Sequence, residues 1–411
     1  GEPTPVLVPA PLRRQGLRIA ADLGVPVAVG THTAASRGRL PEGGRFAIID
    51  ESQHLRTPGT ARYQHTARWL VGRRALLLSA TPVVNRLDDL AAQLLLVVRD
   101  SALAEAGVPS LSAMLAEGHG HPALGELLMA RARPAGAAAC ARQVAPHDDA
   151  AATVDAIEAI RFSAVRPVRE LLQSVFWRAA ASSPAALTET ARRYLRLLEH
   201  AADAAAAGRR VGRSLVRQFA GPDLAQLVLW ELLPDSDELG LELADMHPLR
   251  ALERQAAAAQ AHDDARVAAL RDVLADGRRT VVFTTRRATL GWLRERLADP
   301  RLGWCTGGEA GVGRGRAARS AVLDWFRADA TPDPKAAVLA PRHLLATDVA
   351  AEGLDLGGAD RVVHYDLPWT DARLAQREGR VQRGVPRARE VVTIPPPTVL
   401  AARLDLHAIL A

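Results

Sequence analysis

The sequence predicts an α/β protein: two parallel-sheet units separated by an all-helical insertion. Three observations predict it. Over residues 1–100, short apolar runs alternate with helix-like stretches. The same alternation returns over residues 266–411, while residues 101–265 are alanine-rich, carry arginine pairs and hold few strand-like runs. Continuous apolar strands alternating with helices indicate a parallel sheet covered on both faces.

Each element follows from its local pattern. In residues 1–100, Val6–Ala10, Val25–Gly30, Phe46–Asp50 and Ala75–Ser79 read as strands, and Leu12–Leu23, Arg62–Val71 and Arg86–Val98 as helices. In residues 101–265, Ala185–Ala207 and Leu224–Leu233 read as helices because leucines recur at helical spacing. Pro134–Pro146 and Pro234–Gly240 read as loops. In residues 266–411, Thr280–Thr284, His343–Thr347, Arg361–Tyr365 and Glu390–Ile394 read as strands. Ala288–Leu297, Arg316–Phe326 and Arg373–Arg383 read as helices, and glycine-rich Gly303–Gly315 as a loop after a strand.

Composition narrows the function classes. A chain of 411 residues, 48% hydrophobic and 24% charged, has room for two or three domains and large cores, which excludes disorder for most of it. No apolar run reaches the ~18 residues of a membrane span, and no basic-then-apolar leader opens the sequence. The expectation is a cytoplasmic protein with no membrane partner. Cys140 and Cys305 are far apart, which argues against a disulfide framework or a cysteine zinc site. Net charge is +6, and Lys335 is the one lysine, so arginine supplies 51 of the 52 basic residues. Codon bias explains much of that excess. Whatever its origin, such a surface attracts polyanions, and arginine grips phosphate bidentately.

Four blocks carry chemistry. Strand Phe46–Ile49 runs into Asp50-Glu51-Ser52-Gln53. Two carboxylates at the carboxyl end of a parallel strand suit a nucleotide site, one holding Mg²⁺ and the other orienting water. The same pair is also an ordinary helix-start charge pair. Leu76–Leu78 ends in Ser79-Ala80-Thr81-Pro82, whose hydroxyls are placed to bond the carboxylates of the previous strand end; a serine–threonine turn is the alternative. Leu344-Leu345-Ala346-Thr347-Asp348 leads to Glu352-Gly353-Leu354-Asp355-Leu356. Gln376, Arg380 and Arg383 share one helix face, which suits a polyphosphate or is simply a solvated basic face.

In this order the blocks resemble the motifs of the Swi/Snf-like branch of superfamily two helicases and translocases, especially bacterial members. Asp50 to Gln53 is similar to motif II, Ser79-Ala80-Thr81 with Asn85 beyond it to motif III, and Val281–Thr284 to motif IV. Thr347-Asp348 with Glu352 to Leu356 is similar to motif V, and Gln376 to Arg383 to motif VI. The resemblance covers residues 4–100 and 264–395. It implies two RecA-like lobes, ATP with Mg²⁺ as cofactors, and double-stranded DNA as partner. Asp50 would hold the metal and Glu51 would position water. Gln53, Ser79 and Thr81 would couple the lobes, Gln376, Arg380 and Arg383 would meet the phosphates, and Gly353 and Asp355 would contact the nucleoside. Pro9, Thr31, Thr284 and Thr347, with Arg209 and Arg213 of the insertion, are the candidate nucleic-acid contacts. The implied location is the bacterial cytoplasm, at the nucleoid.

Two departures stand out. Position 53 is glutamine where the branch usually has histidine, with His54 following. The sequence also contains no G-x-x-x-x-G-K-[ST] loop, and Lys335 lies in Thr331-Pro332-Asp333-Pro334-Lys335. Because Val6–Ala10 is similar to motif Ia and the first residue is Gly1, the expectation is that the phosphate loop lies upstream and that this stretch alone hydrolyses no ATP. The alternative is a non-catalytic DNA-binding or scaffold protein with a degenerate helicase core.

Overall fold

The computed structural model describes residues 2–79, 82–83, 87–130, 140–143, 150–208, 239–327, 340–348, 356, 358–368, 371–381 and 390–404. The chain divides into two compact units, Gly1–Ala135 and Gly136–Ala411. Both are α/β with a parallel sheet, the predicted class.

The first unit runs β1 (Thr4–Val8), α1 (Arg13–Asp22), β2 (Val27–Thr31), α2 (His32–Ala35), β3 (Phe46–Ile49), α3 (Ala61–Leu70), β4 (Arg74–Leu77), α4 (Leu87–Leu94) and α5 (Leu111–Ala116). Its sheet has the order β2-β1-β3-β4, and every pairing is parallel. Leu7, Ala47 and Ile49 are fully buried and pack with Ala35, Leu55 and Leu70. Because all four strands run the same way, Pro9, Thr31, Asp50 and Ser79 come to one edge of the sheet. Helices α4 and α5 share a separate apolar cluster through Leu90, Leu94, Leu111 and Leu115.

The second unit holds β5 (Cys140–Gln143), α6 (Ala151–Glu158), α7 (Arg166–Ser182), α8 (Pro184–Ala206), α9 (Met246–Ala259), α10 (Ala265–Leu274), β6 (Thr280–Thr284), α11 (Arg287–Leu297), β7 (Gly303–Cys305), β8 (Ala310–Val312), β9 (Gly315–Arg316), α12 (Arg319–Arg327), β10 (His343–Thr347), β11 (Arg361–His364), α13 (Asp371–Val381), β12 (Glu390–Thr393) and α14 (Thr398–Arg403). The sheet order is β5-β12-β11-β6-β10-β7-β8-β9. The strands from β5 to β7 are mutually parallel, and β8 and β9 are antiparallel additions. β6 is buried along its whole length, as a central parallel strand must be.

Two expectations change. The described helices of residues 101–265 fall on both sides of the division at Ala135–Gly136. α5 belongs with the first unit, and α6–α9 pack into the second around Phe162, Phe176 and Tyr194, whose rings lie 5.0–5.7 Å apart. The segment Pro134–Pro146 contains β5, four residues that pair in parallel with β12 as an edge strand. The stretch Gly303–Gly315 is not a plain loop but the β7–β8–β9 meander. There a Cβ on Gly311 would fall 1.9 Å from the Gly315 carbonyl oxygen and 2.7 Å from the Trp304 ring, so only glycine allows the strands to pass. Leu224–Leu233 lies outside the described residues, as does Pro234–Gly240 apart from its last two. Among the described residues no helix is long and apolar enough to cross a membrane.

The α7–α8 break is written in Ser182-Ser183-Pro184. Ser183 is extended, its Oγ accepts from the Ala186 N–H at 3.0 Å, and Pro184 takes the first helical position. The break leaves the last α7 carbonyls without helical partners. Arg266, 5% exposed at the start of α10, donates to the carbonyls of Ala181 at 2.8 Å and Ser182 at 3.0 Å. It also donates to the carbonyls of Tyr365 and of Ile394, the latter at 3.4 Å, and lies 4.3 Å from the Tyr365 ring centroid. One guanidinium thus joins the helical cluster to the ends of β11 and β12. Arg266→Ala should lower unfolding free energy by about 3–5 kcal/mol, because it strands several buried acceptors. The exposed Arg314→Ala should stay within about 0.5 kcal/mol. Denaturant melts of the two variants check this.

Candidate active site

In the first unit the ladder carries past β3: the Asp50 N–H donates to the Leu7 carbonyl at 2.8 Å, and the Ser52 N–H to the Leu78 carbonyl at 2.9 Å. Between those bonds the backbone reverses at Glu51, which has φ 52° and ψ 52°. A left-handed conformation costs a non-glycine residue about 1–2 kcal/mol, so something must hold it. The Glu51 N–H donates to Asp50 Oδ1 at 3.0 Å. The Asp50 carbonyl accepts from His32 Nε2 at 2.8 Å.

The Glu51 side chain is buried, at 8% exposure. Gln53 Nε2 donates to Glu51 Oε2 at 2.6 Å, and Ser79 Oγ donates to Gln53 Oε1 at 2.7 Å. A carboxylate only accepts, so the amide nitrogen must face Glu51 and its oxygen must face the serine. The sequence reading had the hydroxyl bonding the carboxylates directly. Instead Ser79 reaches Glu51 through the amide of residue 53. Neutral histidine offers one donor and one acceptor as well, but glutamine does so without titrating.

Two neighbours escaped the sequence reading. Gln93, 2% exposed on α4, accepts from Ser52 Oγ at 2.8 Å and donates to the Pro82 carbonyl at 2.6 Å and the Asp89 carbonyl at 2.7 Å. Its signal was a polar residue on the apolar face of a short helix, between Leu90 and Leu94. The second is His32, 3% exposed, whose ring centroid is 5.0 Å from that of His54. Burial, chiefly, pushes His32 down to about 4. Burial and then Arg62 also lower His54.

Thr31 serves as the α2 cap, its hydroxyl accepting from the Ala34 N–H at 3.1 Å. Pro9 opens the turn after β1. Thr81 lies outside the described residues.

In the second unit the strand-end residues collect in the same way, but several turn inward. Thr284 is fully buried and donates to Asp366 Oδ2 at 2.7 Å. The same carboxylate accepts from Ser182 Oγ at 2.6 Å and the Thr285 N–H at 2.7 Å. Thr284, a candidate nucleic-acid contact, is buried because β6 is a central strand, and its hydroxyl is engaged by Asp366. Thr347 is 3% exposed, and its hydroxyl oxygen has no hydrogen-bond partner among the described residues.

On α13, Gln376 is half-buried, and Arg380 is 3% exposed with its carbonyl accepting from the Leu356 N–H at 3.0 Å. Arg377, not singled out from sequence, anchors the helix. Its Nε and one terminal nitrogen donate to the Asp348 carboxylate at 2.6 and 3.1 Å, and the other terminal nitrogen to the Asp366 carbonyl at 2.7 Å. Burial alone would lower its pKa, but Asp348 and Asp366 outweigh burial and the net shift is upward. Gly353, Asp355, Arg383, Arg209 and Arg213 lie outside the described residues.

For a divalent cation, no group of three or more His, Cys, Asp or Glu residues is gathered among the described residues. A Mg²⁺ carried in with a nucleotide needs one or two carboxylates and takes its other oxygens from phosphate and water. Asp50 is a half-buried carboxylate at the sheet edge that could hold such an ion.

Residues 265–385 match the family model of the helicase conserved C-terminal domain. That span runs from α10 through α13 and takes in Thr284, Thr347, Arg377 and Arg380. The match lies wholly within the second unit. Among curated relatives, the ATP-dependent RNA helicase mak5 of Sclerotinia sclerotiorum is 42% identical over 60 residues, 15% of this chain and 8% of that one. The MAK5 of Gibberella zeae is 32% identical over 131 residues, 32% of this chain and 15% of that one. The chain thus spans a small part of the length of the relatives it matches. Among solved structures, the Pyrococcus furiosus Hef helicase domain aligns at 15% identity and a TM-score of 0.39, over 98% of this chain and 88% of that one. The Sulfolobus solfataricus SWI2/SNF2 ATPase core in complex with dsDNA aligns at 13% identity and a TM-score of 0.29, over 100% of this chain and 80% of that one.

The Arg377 anchor has a direct consequence. Arg377→Ala should destabilise the second unit by about 3–5 kcal/mol, because it leaves the Asp348 carboxylate without its cation. Adding Asp348→Ala should recover part of the loss, which a double-mutant cycle of denaturant melts measures.

Proposed function

We propose that the protein is a superfamily two ATP-dependent motor that moves on nucleic acid, with duplex DNA as its track and the Swi/Snf-like branch as its place within the superfamily. The observation that carries the reading is the Ser79–Gln53–Glu51 chain at the carboxyl edge of a parallel sheet, in a chain whose other unit matches a helicase C-terminal domain. The net charge of +6 supports a polyanionic track. Mg²⁺ and ATP would supply the phosphoryl group and neutralise its developing charge. Asp50 would hold the metal. Glu51 would accept hydrogen bonding from the attacking water, its carboxylate kept in place by Gln53. Arg380 would bring positive charge to the phosphates. A second reading takes RNA as the track, favoured by the local identity to proteins named ATP-dependent RNA helicases.

In the intact protein, Glu51→Gln should cut nucleic-acid-stimulated ATPase by about 10²–10⁴-fold while leaving nucleotide affinity within a fewfold. Arg380→Ala should cut turnover by about 10³-fold or more and weaken ATP binding as well. Arg314→Ala should match wild type. Steady-state ATPase and nucleotide titrations decide these. Turnover by Arg380→Ala equal to the control would mean that α13 is not the phosphate-contacting helix. With duplex DNA, affinity should fall steeply between 50 and 200 mM salt, by about 10³-fold if some six phosphates are contacted. Stimulation by RNA but not DNA would move the assignment to the second reading. Binding without any stimulated turnover would favour a scaffold.

A further inference from the structure

We propose that His32 is a positioning residue for Glu51: by donating its Nε2–H to the Asp50 carbonyl, it fixes the peptide from which the Glu51 carboxylate is presented. The proposal rests on the ATPase reading, in which Glu51 orients the attacking water.

The tautomer follows from the geometry. A carbonyl oxygen only accepts, so Nε2 at 2.8 Å must carry the proton. Nδ1 is buried and has no hydrogen-bond partner among the described residues. A proton there would be an orphaned donor in the interior, so the ring is the neutral Nε2–H form.

The acceptor's identity gives the bond its consequence. The Asp50 carbonyl and the Glu51 N–H belong to one planar peptide. The oxygen end is held by His32, and the N–H end by Asp50 Oδ1 at 3.0 Å. With that plane fixed, φ of Glu51 alone sets where its Cβ leaves the backbone, and φ is 52°. Released from His32, the peptide can rotate toward an ordinary φ. Oε2 would then swing away from Gln53 Nε2, which now sits at 2.6 Å.

His32 is itself over-determined, as a positioning group must be. It opens α2 directly after β2, and β2 pairs with β1, the strand whose Leu7 carbonyl accepts the Asp50 N–H. Its carbonyl accepts from Ser36 Oγ at 3.2 Å, and its ring faces His54. Arg62 braces that pair, donating to Ser36 Oγ at 3.2 Å and the His54 carbonyl at 3.5 Å.

Two substitutions separate positioning from packing. Glutamine extends an amide N–H to about the place of Nε2, whereas leucine keeps bulk and loses the donor. In the intact protein, His32→Leu should lower kcat for ATP hydrolysis by between about tenfold and a hundredfold, the scale of an ångström-sized misplacement, with KM for ATP within about twofold. His32→Gln should regain most of kcat. Independently of turnover, the imidazole ¹⁵N spectrum of the 411-residue chain should show one buried histidine protonated at Nε2 and bare at Nδ1 at neutral pH, missing from the His32→Leu spectrum. Wild-type kcat in His32→Leu overturns the proposal. So does a His32 ring protonated at Nδ1, or a leucine variant whose loss follows its melting temperature and is not rescued by glutamine. Absence of ATPase in wild type and Glu51→Gln alike overturns the functional reading and the proposal together. Wild-type turnover abolished by Glu51→Gln but kept by His32→Leu overturns the proposal alone.

Discussion

Parallel strand pairing is the constraint on which both units depend. When neighbouring strands run the same way, every carboxyl end emerges on one edge, and residues far apart in sequence meet there. β3 and β4 are in register from Phe46 opposite Arg74 to Ile49 opposite Leu77. That register sets Ser79 beside Gln53 and, through it, Glu51. In the second unit the same rule brings Thr284, Thr347 and Asp366 together from β6, β10 and the end of β11. Without parallel pairing, neither set exists.

The two edges handle their polar groups differently. In the first unit a short chain of neutral donors and acceptors leads to one carboxylate. Serine and glutamine carry no charge, so this relay holds Glu51 by hydrogen bonding alone. In the second unit a buried carboxylate gathers hydroxyls and a backbone amide, and a buried arginine spans Asp348 and the Asp366 carbonyl. Buried ion pairs of this kind contribute little net stability, yet breaking one is expensive. Their effect is to fix geometry: α13 can dock on β11 in one place, and Arg380 is carried with it.

The sequence made the repeating architecture legible because fully buried strands are continuous apolar runs. Thr280–Thr284 and His343–Thr347 were bounded to the residue. β5 was not, since a four-residue edge strand has no such run. The division at Ala135–Gly136 was hidden too, because the α6–α9 helices join the second sheet through Arg266 and Ser182, contacts that no local pattern encodes. At the site, Asp50, Glu51, Gln53 and Ser79 were legible as blocks in order. The route of the bond between them was not, since it depends on which end of an amide faces which partner. Thr284, a candidate nucleic-acid contact by resemblance, is interior, because burial at a strand end depends on what packs over it.

His32 shows why a lone residue can be invisible in sequence and central in space. It lies beside Thr31, which was singled out, and nothing in the spacing distinguishes it. Its importance comes from what it touches: the carbonyl of the residue before a left-handed glutamate. Only three non-glycine residues among those described have positive φ, and Glu51 is the one at the carboxyl edge of a sheet. A backbone conformation that costs energy persists where neighbours over-determine it, and here they do so at both ends of one peptide. The strain, the buried neutral ring and the amide relay all converge on the position of a single carboxylate.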